Sequence, residues 1–335
     1  LTKKVSVIIP CYNEKNYIEK CINSILLQNY PYTEIIVCDG GSNDGTLDIL
    51  NTYENKIILI NNPHKTTPYA LNLGIKKSTG DIIIIFGAHA VMHKNYIIEC
   101  IKTFEISEEI ACVGGVILNI NENHIARHIS AAMSSLFGVG NAHFRTGLKS
   151  GYVDTVAFGA YKKEVFQKIG YFDEELTRNQ DDEFNFRLLK NGYNIYLNPA
   201  IKSDYHVRAS YKKLFRQYRQ YGYWKVYVNK KHKTITTIRQ LFPALFVAYI
   251  LSGSIFTFIF PSMLFIFTIP IVLYITMSII FAALKAGINI THLAGIIFSF
   301  WILHFSYGYG YIHGLIDFYI LNKKNIHQSY SNISR

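Results

Sequence analysis

The residues best suited by type and spacing to do chemistry begin in the run E-I-I-V-C-D-G-G-S-N-D-G-T, Glu34 to Thr46. Ile35, Ile36, Val37 and Cys38 form an apolar, largely β-branched run that suits a strand buried on both faces. Asp39 closes it. A carboxylate at the carboxyl end of a parallel strand stands where an open α/β sheet reads a nucleotide. Gly40 and Gly41 lack the Cβ that would hold the following loop away from a ligand. The plain alternative is that Asp39 only closes the strand end. Asp44 reads as the N-cap of a helix starting at Gly45-Thr46. A second acidic group, Asp181-Asp182-Glu183, opens a predicted helix in N-Q-D-D-E-F-N-F-R-L-L-K-N-G-Y (179–193). A carboxylate there can take a proton from an attacking hydroxyl, and acids at a helix N-terminus also simply favour the helix dipole.

An alternating β/α pattern positions these groups. Strands are predicted at Val5–Pro10, Ile35–Cys38, Ile57–Ile60, Asp81–Phe86 and Ala111–Val116. Helices are predicted between them at Tyr17–Gln28, Thr46–Tyr53, Thr67–Lys77 and Asn95–Phe104. Such alternation argues for an α/β fold with a mostly parallel sheet and helices on both faces. From Leu118 to Gly151 the pattern loosens into a helix and a loop over the site. After it come a strand at Val153–Phe158, helices at Lys162–Ile169 and Asp181–Lys190, and a last short strand at Ile195–Leu197.

Half of the 335 residues are hydrophobic and the net charge is +11. Leu241 to Leu284 is almost wholly apolar, and the pattern resumes from Ile288 to Ile320. A span needs roughly 20 apolar residues, which leaves room for about three: Leu241–Phe260, Met263–Leu284 and Thr291–Ile312. The last also suits a re-entrant or interfacial element, given Gly308, Gly310 and Gly314 among tyrosines with His304, His313 and Asp317. No acidic side chain occurs between Asp204 and Asp317, while basic residues from Arg208 to Arg239 precede the first span. The positive-inside rule therefore puts residues 1–240 in the cytoplasm, at an inner, cytoplasmic membrane crossed more than once. Charge set directly against the spans ranks contact with anionic lipid above nucleic-acid binding. Tyr211 to Val228 reads as a helix on the membrane surface, with its tyrosines and Trp224 at headgroup depth. The expected organisation is a catalytic domain over 1–204, a basic aromatic interfacial region over 205–239, membrane helices over 240–320 and a polar tail over 321–335.

No secretory leader pattern precedes Val5, matching a domain kept in the cytoplasm. Cysteines 11, 21, 38, 100 and 112 form no CxxC pair, which points to a reduced compartment and core packing. No GxxxxGK[ST], no GxGxxG after the first strand and no GxSxG occur. These absences disfavour a P-loop ATPase, a dehydrogenase and a lipase.

The motifs V-S-V-I-I-P-C-Y-N-E (5–14), V-C-D-G-G-S-N-D-G-T (37–46) and residues 179–193 together resemble glycosyltransferase family 2, GT-A fold enzymes that use nucleotide-diphosphate sugars. The resemblance covers about residues 4–225. G-A-H-A (87–90), F-G-V-G (137–140) and V-D-T-V-A-F-G-A-Y (153–161) are similar to membrane-attached enzymes of succinoglycan-type exopolysaccharide synthesis.

The resemblance implies that Asp39 accepts a hydrogen bond from the N3–H of uracil. Pro10, Tyr12, Glu14 and Gly40 line the same pocket, with Tyr12 near the base and Glu14 near the ribose. Asp181 falls on the family's general base and implies inversion at the anomeric carbon; Asp182 and Glu183 are its rivals. Arg187 is expected in a structural ion pair. The family's metal-holding Asp-x-Asp is replaced by Gly87-Ala88-His89, so its first carboxylate is missing. His89, with His206 as a second contributor, remains as a ligand for Mg or Mn or as a phosphate contact. Imidazole suits Mn²⁺ better than Mg²⁺. Weaker metal binding is expected, or compensation by cationic groups such as Arg145 or Arg208. Gln220-Tyr221-Gly222-Tyr223-Trp224 departs from the Q-x-x-R-W of processive synthases, with Tyr223 in place of the arginine. That departure, with few spans, favours addition of a single sugar. The implied enzyme is a membrane-anchored inverting glycosyltransferase that carries a sugar from a UDP-linked donor to a lipid-linked saccharide. The alternatives are a polyprenyl-phosphate sugar synthase, a non-catalytic nucleotide-sugar-binding membrane subunit and, least favoured, a processive synthase.

Overall fold

Four apolar segments form the parallel part of one sheet: β1 (Val5–Cys11), β2 (Thr33–Asp39), β3 (Ile58–Asn61) and β4 (Ile82–Ile85). They lie in the order β3-β2-β1-β4, with Ile8 beside both Ile36 and Ile85. The middle strands are covered on both faces, which is why they read as unbroken apolar runs. Helices α1 (Ile18–Leu26), α2 (Thr46–Asn51), α3 (Thr67–Lys77) and α4 (Tyr96–Phe104) alternate with these strands and with those that follow. In α1, Ile18, Cys21, Ile22 and Ile25 recur on one helical face and are all buried.

Beyond β4 the sheet turns antiparallel. β5 (Ala90–Met92), β6 (Ile110–Ile120), β7 (Gly151–Tyr152), β8 (Ala157–Lys162) and β9 (Asn194–His206) extend it in the order β4-β8-β6-β9-β5, and β7 pairs with β9. The sheet is therefore mixed, with its parallel part confined to the amino-terminal half. β8 comes from later in the chain and enters between β4 and β6 running the opposite way, so Ile83 pairs with Tyr161 and Val113 with Ala160. Sequence reading puts this strand a few residues early. It also shortens β9, because Asn198-Pro199-Ala200 interrupts the alternation of a strand buried on one face.

The computed structural model describes residues 3–147, 149–207 and 209–323. Arg208, Lys324 and most of the polar tail lie outside them. Between β6 and β7 run α5 (His124–Met133), α6 (Leu136–Val139) and α7 (His143–Thr146), and α8 (Glu164–Ile169) and α9 (Gln180–Lys190) follow β8. One compact unit holds the chain up to residue 119 together with 143–206; the other holds 120–142 and everything from 207 onward. In the first, α1, α2 and α4 pack on one face of the sheet and α3, α8 and α9 on the other. Residues 120–142, which read from sequence as part of the catalytic domain, fold in the second unit.

That second unit also contains α10 (Tyr211–His232), α11 (Phe242–Ile259), α12 (Leu264–Ala286) and α13 (Ile290–Leu315), the last ending in a π-helical turn at Ile316–Ile320. Three stretches, Ile238–Ile259, Pro261–Ala286 and Ile290–Ile320, are long and apolar enough to cross a membrane. Tyr223 and Trp224 depart from the headgroup-level placement expected of them, since both are fully buried in protein. Gly222 brings α13 against that face of α10: a Cβ there would lie 2.0 Å from the Tyr307 carbonyl oxygen. The Tyr223 hydroxyl donates to Asp317 Oδ2 at 2.9 Å.

In the first unit Arg187 makes the expected structural pair. Its Nε and Nη2 donate to the two oxygens of fully buried Glu183 at 2.8 and 2.9 Å, and Nη1 and Nη2 also donate to the carbonyls of Ile169 and Tyr171. Arg187→Ala removes both charge-assisted hydrogen bonds from that buried carboxylate and is expected to cost about 3–5 kcal/mol. Thermal unfolding of the detergent-solubilised protein checks this. Adding Glu183→Gln to Arg187→Ala is expected to recover part of the loss.

Candidate active site

Asp39 is 2% exposed and closes the loop after β2. Its Oδ1 accepts from the N–H groups of Gly41 and Ser42 at 2.9 and 2.8 Å, and its Oδ2 accepts from the Ser42 hydroxyl at 2.5 Å. A carboxylate has further lone pairs for a base, so closing the loop and reading a nucleotide are compatible roles. The loop after β1 is tied to the same frame. Ser42 Oγ accepts from the Asn13 N–H at 2.8 Å, and Asn13 Oδ1 accepts from the Asn43 N–H at 2.9 Å. The Glu14 N–H donates to Thr46 Oγ1 at 2.8 Å, and that hydroxyl donates to Asp44 Oδ1 at 2.5 Å. Asp44 sits one residue before the cap expected of it: Gly45, at φ +95°, holds the N-cap position, and Asp44 Oδ1 takes the Thr46 N–H at 3.0 Å.

Gly40 allows a close approach. A Cβ there would lie 3.2 Å from Tyr12 Cδ2 and 3.3 Å from Lys65 Cα, so the Tyr12 ring lies against the loop backbone. Pro10 is half-buried, one residue before the end of β1. Glu14 is buried and its Oε1 lies 3.2 Å from His89 Nδ1. β5 and β9 pair Ala90 with Tyr205, and His89 and His206 are the chain neighbours of that pair. The His89 ring is 5.2 Å from that of Tyr205, and the His206 ring is 4.8 Å from that of Tyr17. The fold thus sets His89 against Glu14 and Tyr205, and His206 against Tyr17, two tyrosines that sequence reading did not single out.

The missing carboxylate has a steric counterpart. A Cβ on Gly87 would stand 2.9 Å from Phe158 Cε1, so Phe158 occupies the space into which an aspartate at 87 would project. Phe158 is itself held at φ +50°, its carbonyl accepting from the Tyr96 hydroxyl at 2.5 Å. What remains beside the end of β4 is Glu14 with the one imidazole bonded to it, His89. Among the described residues no group of three or more His, Cys, Asp or Glu is arranged to hold a metal ion. This donor set does not fit a divalent cation bound by protein ligands alone.

Asp181 stands in the first turn of α9, after Asn179 in the left-handed region at φ +62°. Its Oδ1 accepts from the Asp182 N–H at 3.0 Å. The side chain keeps a face open to solvent while protein crowds its other sides. That crowding raises its pKa, the Asp182 carboxylate raises it further, and Arg145 opposes them. Glu183 pairs with Arg187 and drops out as a rival base; Asp182 does not. Arg145, from α7, has its guanidinium carbon 5.9 Å from the Tyr205 ring and a buried Nη1 that no acceptor among the described residues meets. Within the first unit contacts run from Asp39 through Ser42, Asn13 and Glu14 to His89, Tyr205 and Arg145, and the Arg145 charge reaches Asp181 through space. Tyr17, Tyr205 and the placement of Phe158 are what sequence reading misses, and a longer reading of β9 is the signal that points to Tyr205.

The family model described as Glycosyl transferase family 2 matches residues 6–170. The chain is 35% identical over 260 residues to the dolichyl N-acetyl-alpha-D-glucosaminyl phosphate 3-beta-D-2,3-diacetamido-2,3-dideoxy-beta-D-glucuronosyltransferase of Methanococcus voltae, covering 74% of this chain and 80% of that one. It is 28% identical over 257 residues to the succinoglycan biosynthesis protein ExoA of Rhizobium meliloti, covering 74% and 77% respectively. The solved mannosyltransferase PcManGT from Pyrobaculum calidifontis, in complex with GDP-Man and Mn²⁺, shares the fold. Its TM-score is 0.61 at 16% identity, over 95% of this chain and 88% of that one.

Restoring the absent acid is expected to fail sterically. Gly87→Asp forces Phe158 aside at a cost of about 1–3 kcal/mol, the range for overpacking, which a lowered unfolding midpoint would register.

Proposed function

The chain belongs to glycosyltransferase family 2, and on that premise we propose that it moves one sugar from a UDP-linked donor to a lipid-linked saccharide, with inversion at the anomeric carbon. The observation that carries this reading is that one unit holds both aspartates: the Asp39 loop is tied through Ser42, Asn13 and Glu14 to His89, Tyr205 and Arg145, and the Arg145 charge acts on Asp181. Asp39, Tyr12, Pro10 and Gly40 hold the uracil, and Glu14 the ribose. His89, His206 and Arg145 meet the diphosphate. Asp181 takes the proton of the acceptor hydroxyl as its oxygen bonds to the anomeric carbon. The bond from that carbon to the phosphate oxygen breaks, and its electron pair leaves with the nucleoside diphosphate. Raised pKa and retained solvent access suit a base that must release its proton afterwards.

Two observations support a lipid-linked acceptor. The name of the Methanococcus voltae relative describes transfer to an N-acetylglucosaminyl phosphate on dolichol. The second unit supplies apolar helices long enough to hold the enzyme where such an acceptor lies. That named acceptor is already a saccharide, which favours attack by a sugar hydroxyl over attack by a bare lipid phosphate. The basic flank before α11 favours a catalytic domain on the cytoplasmic face.

Asp181→Asn is expected to lower kcat by about 10²–10⁴-fold with the unfolding midpoint unchanged. Labelled sugar should appear in the organic extract of native membranes; recovery only in water-soluble products counts against the lipid acceptor. The acid limb of kcat/KM should lie above the ordinary aspartate range, since activity is lost as the base protonates. Asp182→Asn removes the like charge, lowers the pKa of Asp181 and moves that limb to lower pH. Arg145→Ala should cost about 10²–10³-fold in kcat, whereas EDTA should leave most of the activity. Full loss in EDTA with recovery in Mn²⁺ would return the diphosphate charge to a metal.

A further inference from the structure

Within the second unit α10 and α13 run side by side in the same direction. At one end the Tyr211 ring lies 4.9 Å from that of Phe298; at the other, Lys230 Nζ donates to the Phe318 carbonyl. Between these points a Cβ on Gly222 would meet the Tyr307 carbonyl oxygen, and one on Gly310 the Arg219 carbonyl oxygen, each at 2.0 Å. At 1.5 Å per residue, Tyr211 to Lys230 and Phe298 to Phe318 each cover about 28–30 Å, the thickness of the hydrocarbon layer. If α13 crossed the membrane over this stretch, α10 would have to cross with it. α10 carries Arg216, Gln217, Arg219, Gln220, Lys225 and Lys230 there. A helix so charged does not lie across a bilayer.

We propose that α13 does not span the membrane. It lies in the membrane plane, on the same side as the catalytic domain, and the α11–α12 hairpin is the crossing element. Phe298, Trp301, Tyr309, Ile316, Tyr319 and Ile320 are 38–72% exposed and fall on one narrow helical stripe. That stripe faces away from Gly310 and Gly314, the side held against α10. Its partner is the headgroup–acyl boundary, where a tryptophan and two tyrosines bury their rings and keep their polar tips wet. Exposed Lys212 and Lys213 at the start of α10, and Lys230 and Lys231 at its end, suit anionic headgroups beside it.

The other two apolar helices behave differently. Protein covers 11% and 6% of them against 39% of the third. α11 meets α13 through Pro243, Phe246 and Val247 in its first turns, and past them Leu251, Ile255 and Phe258 are 55%, 65% and 89% exposed. Tyr249 holds α11 to α12, its hydroxyl donating to the Phe267 carbonyl at 3.0 Å. The chain turns between them at Pro261–Met263.

Single cysteines at Glu164, Ser262 and Asn322, each exposed, test this in the full chain in sealed native membranes. The five native cysteines are buried and provide the background. With a membrane-impermeant maleimide, Ser262→Cys should label from one face of the membrane, and Asn322→Cys and Glu164→Cys from the other. If Asn322→Cys labels with Ser262→Cys, α13 crosses and the proposal is overturned. If all three label from one face, the hairpin does not cross and the proposal is equally overturned.

Discussion

A single hydroxyl, Ser42 Oγ, joins the ends of two adjacent parallel strands: it donates to Asp39 at the end of β2 and accepts from Asn13 just after β1. The ladder already sets Cys11 level with Asp39, so a short side chain is enough to bridge the two loops. Thr46 makes a second bridge between Glu14 and Asp44, and Asp44 Oδ2 accepts from the Lys15 N–H at 3.2 Å. With both loops fixed, the Glu14 carboxylate is directed to His89, and the rest of the site is assembled from there. The rim of a parallel sheet is where polar groups with satisfied partners stay ordered without a ligand.

Charge in this site is arranged around what Phe158 excludes. Its ring fills the space beyond Gly87, so the end of β4 offers an imidazole where the family carries an acid. Arg145 enters from α7, where the chain returns to the first unit after residues 120–142. It stands near Asp181 and over Tyr205. On the proposed reading one guanidinium serves two ends: it faces the diphosphate and it moderates the pKa of the base. Burial and Asp182 pull that pKa upward, Arg145 pulls it down, and the result depends on how much of each survives when substrate displaces water.

The second unit rests on glycine rather than on charge. Gly222, Gly310 and Gly308 let backbones approach where any side chain would collide, and this close packing buries Tyr223, Trp224 and Lys225. Lys225 Nζ donates to Thr237 Oγ1 at 3.1 Å, and Asp317 receives Tyr223 and Lys323. A polar helix thereby lies along an apolar one, with the buried charges of Lys225 and Asp317 each given a partner.

Sequence alone determined the elements whose signal is local. The β-branched runs of β1, β2 and β4, the helical spacing in α1, the limits of α3 and the apolar lengths of α11 and α12 all follow from periodicity and composition. The strand-end motif around Asp39 and the acids of α9 were equally legible, since each is contained in one short stretch. Tertiary structure decided what depends on residues far apart in the chain. It ran β8 backwards between β4 and β6, extended β9 to bring Tyr205 beside His89, and set Phe158 against Gly87. It removed Glu183 from the acid cluster by pairing it with Arg187, and buried Trp224 where composition suggested a membrane surface. A local pattern records how a segment meets solvent and core, whereas the identity of the neighbour is fixed only when the segments pack.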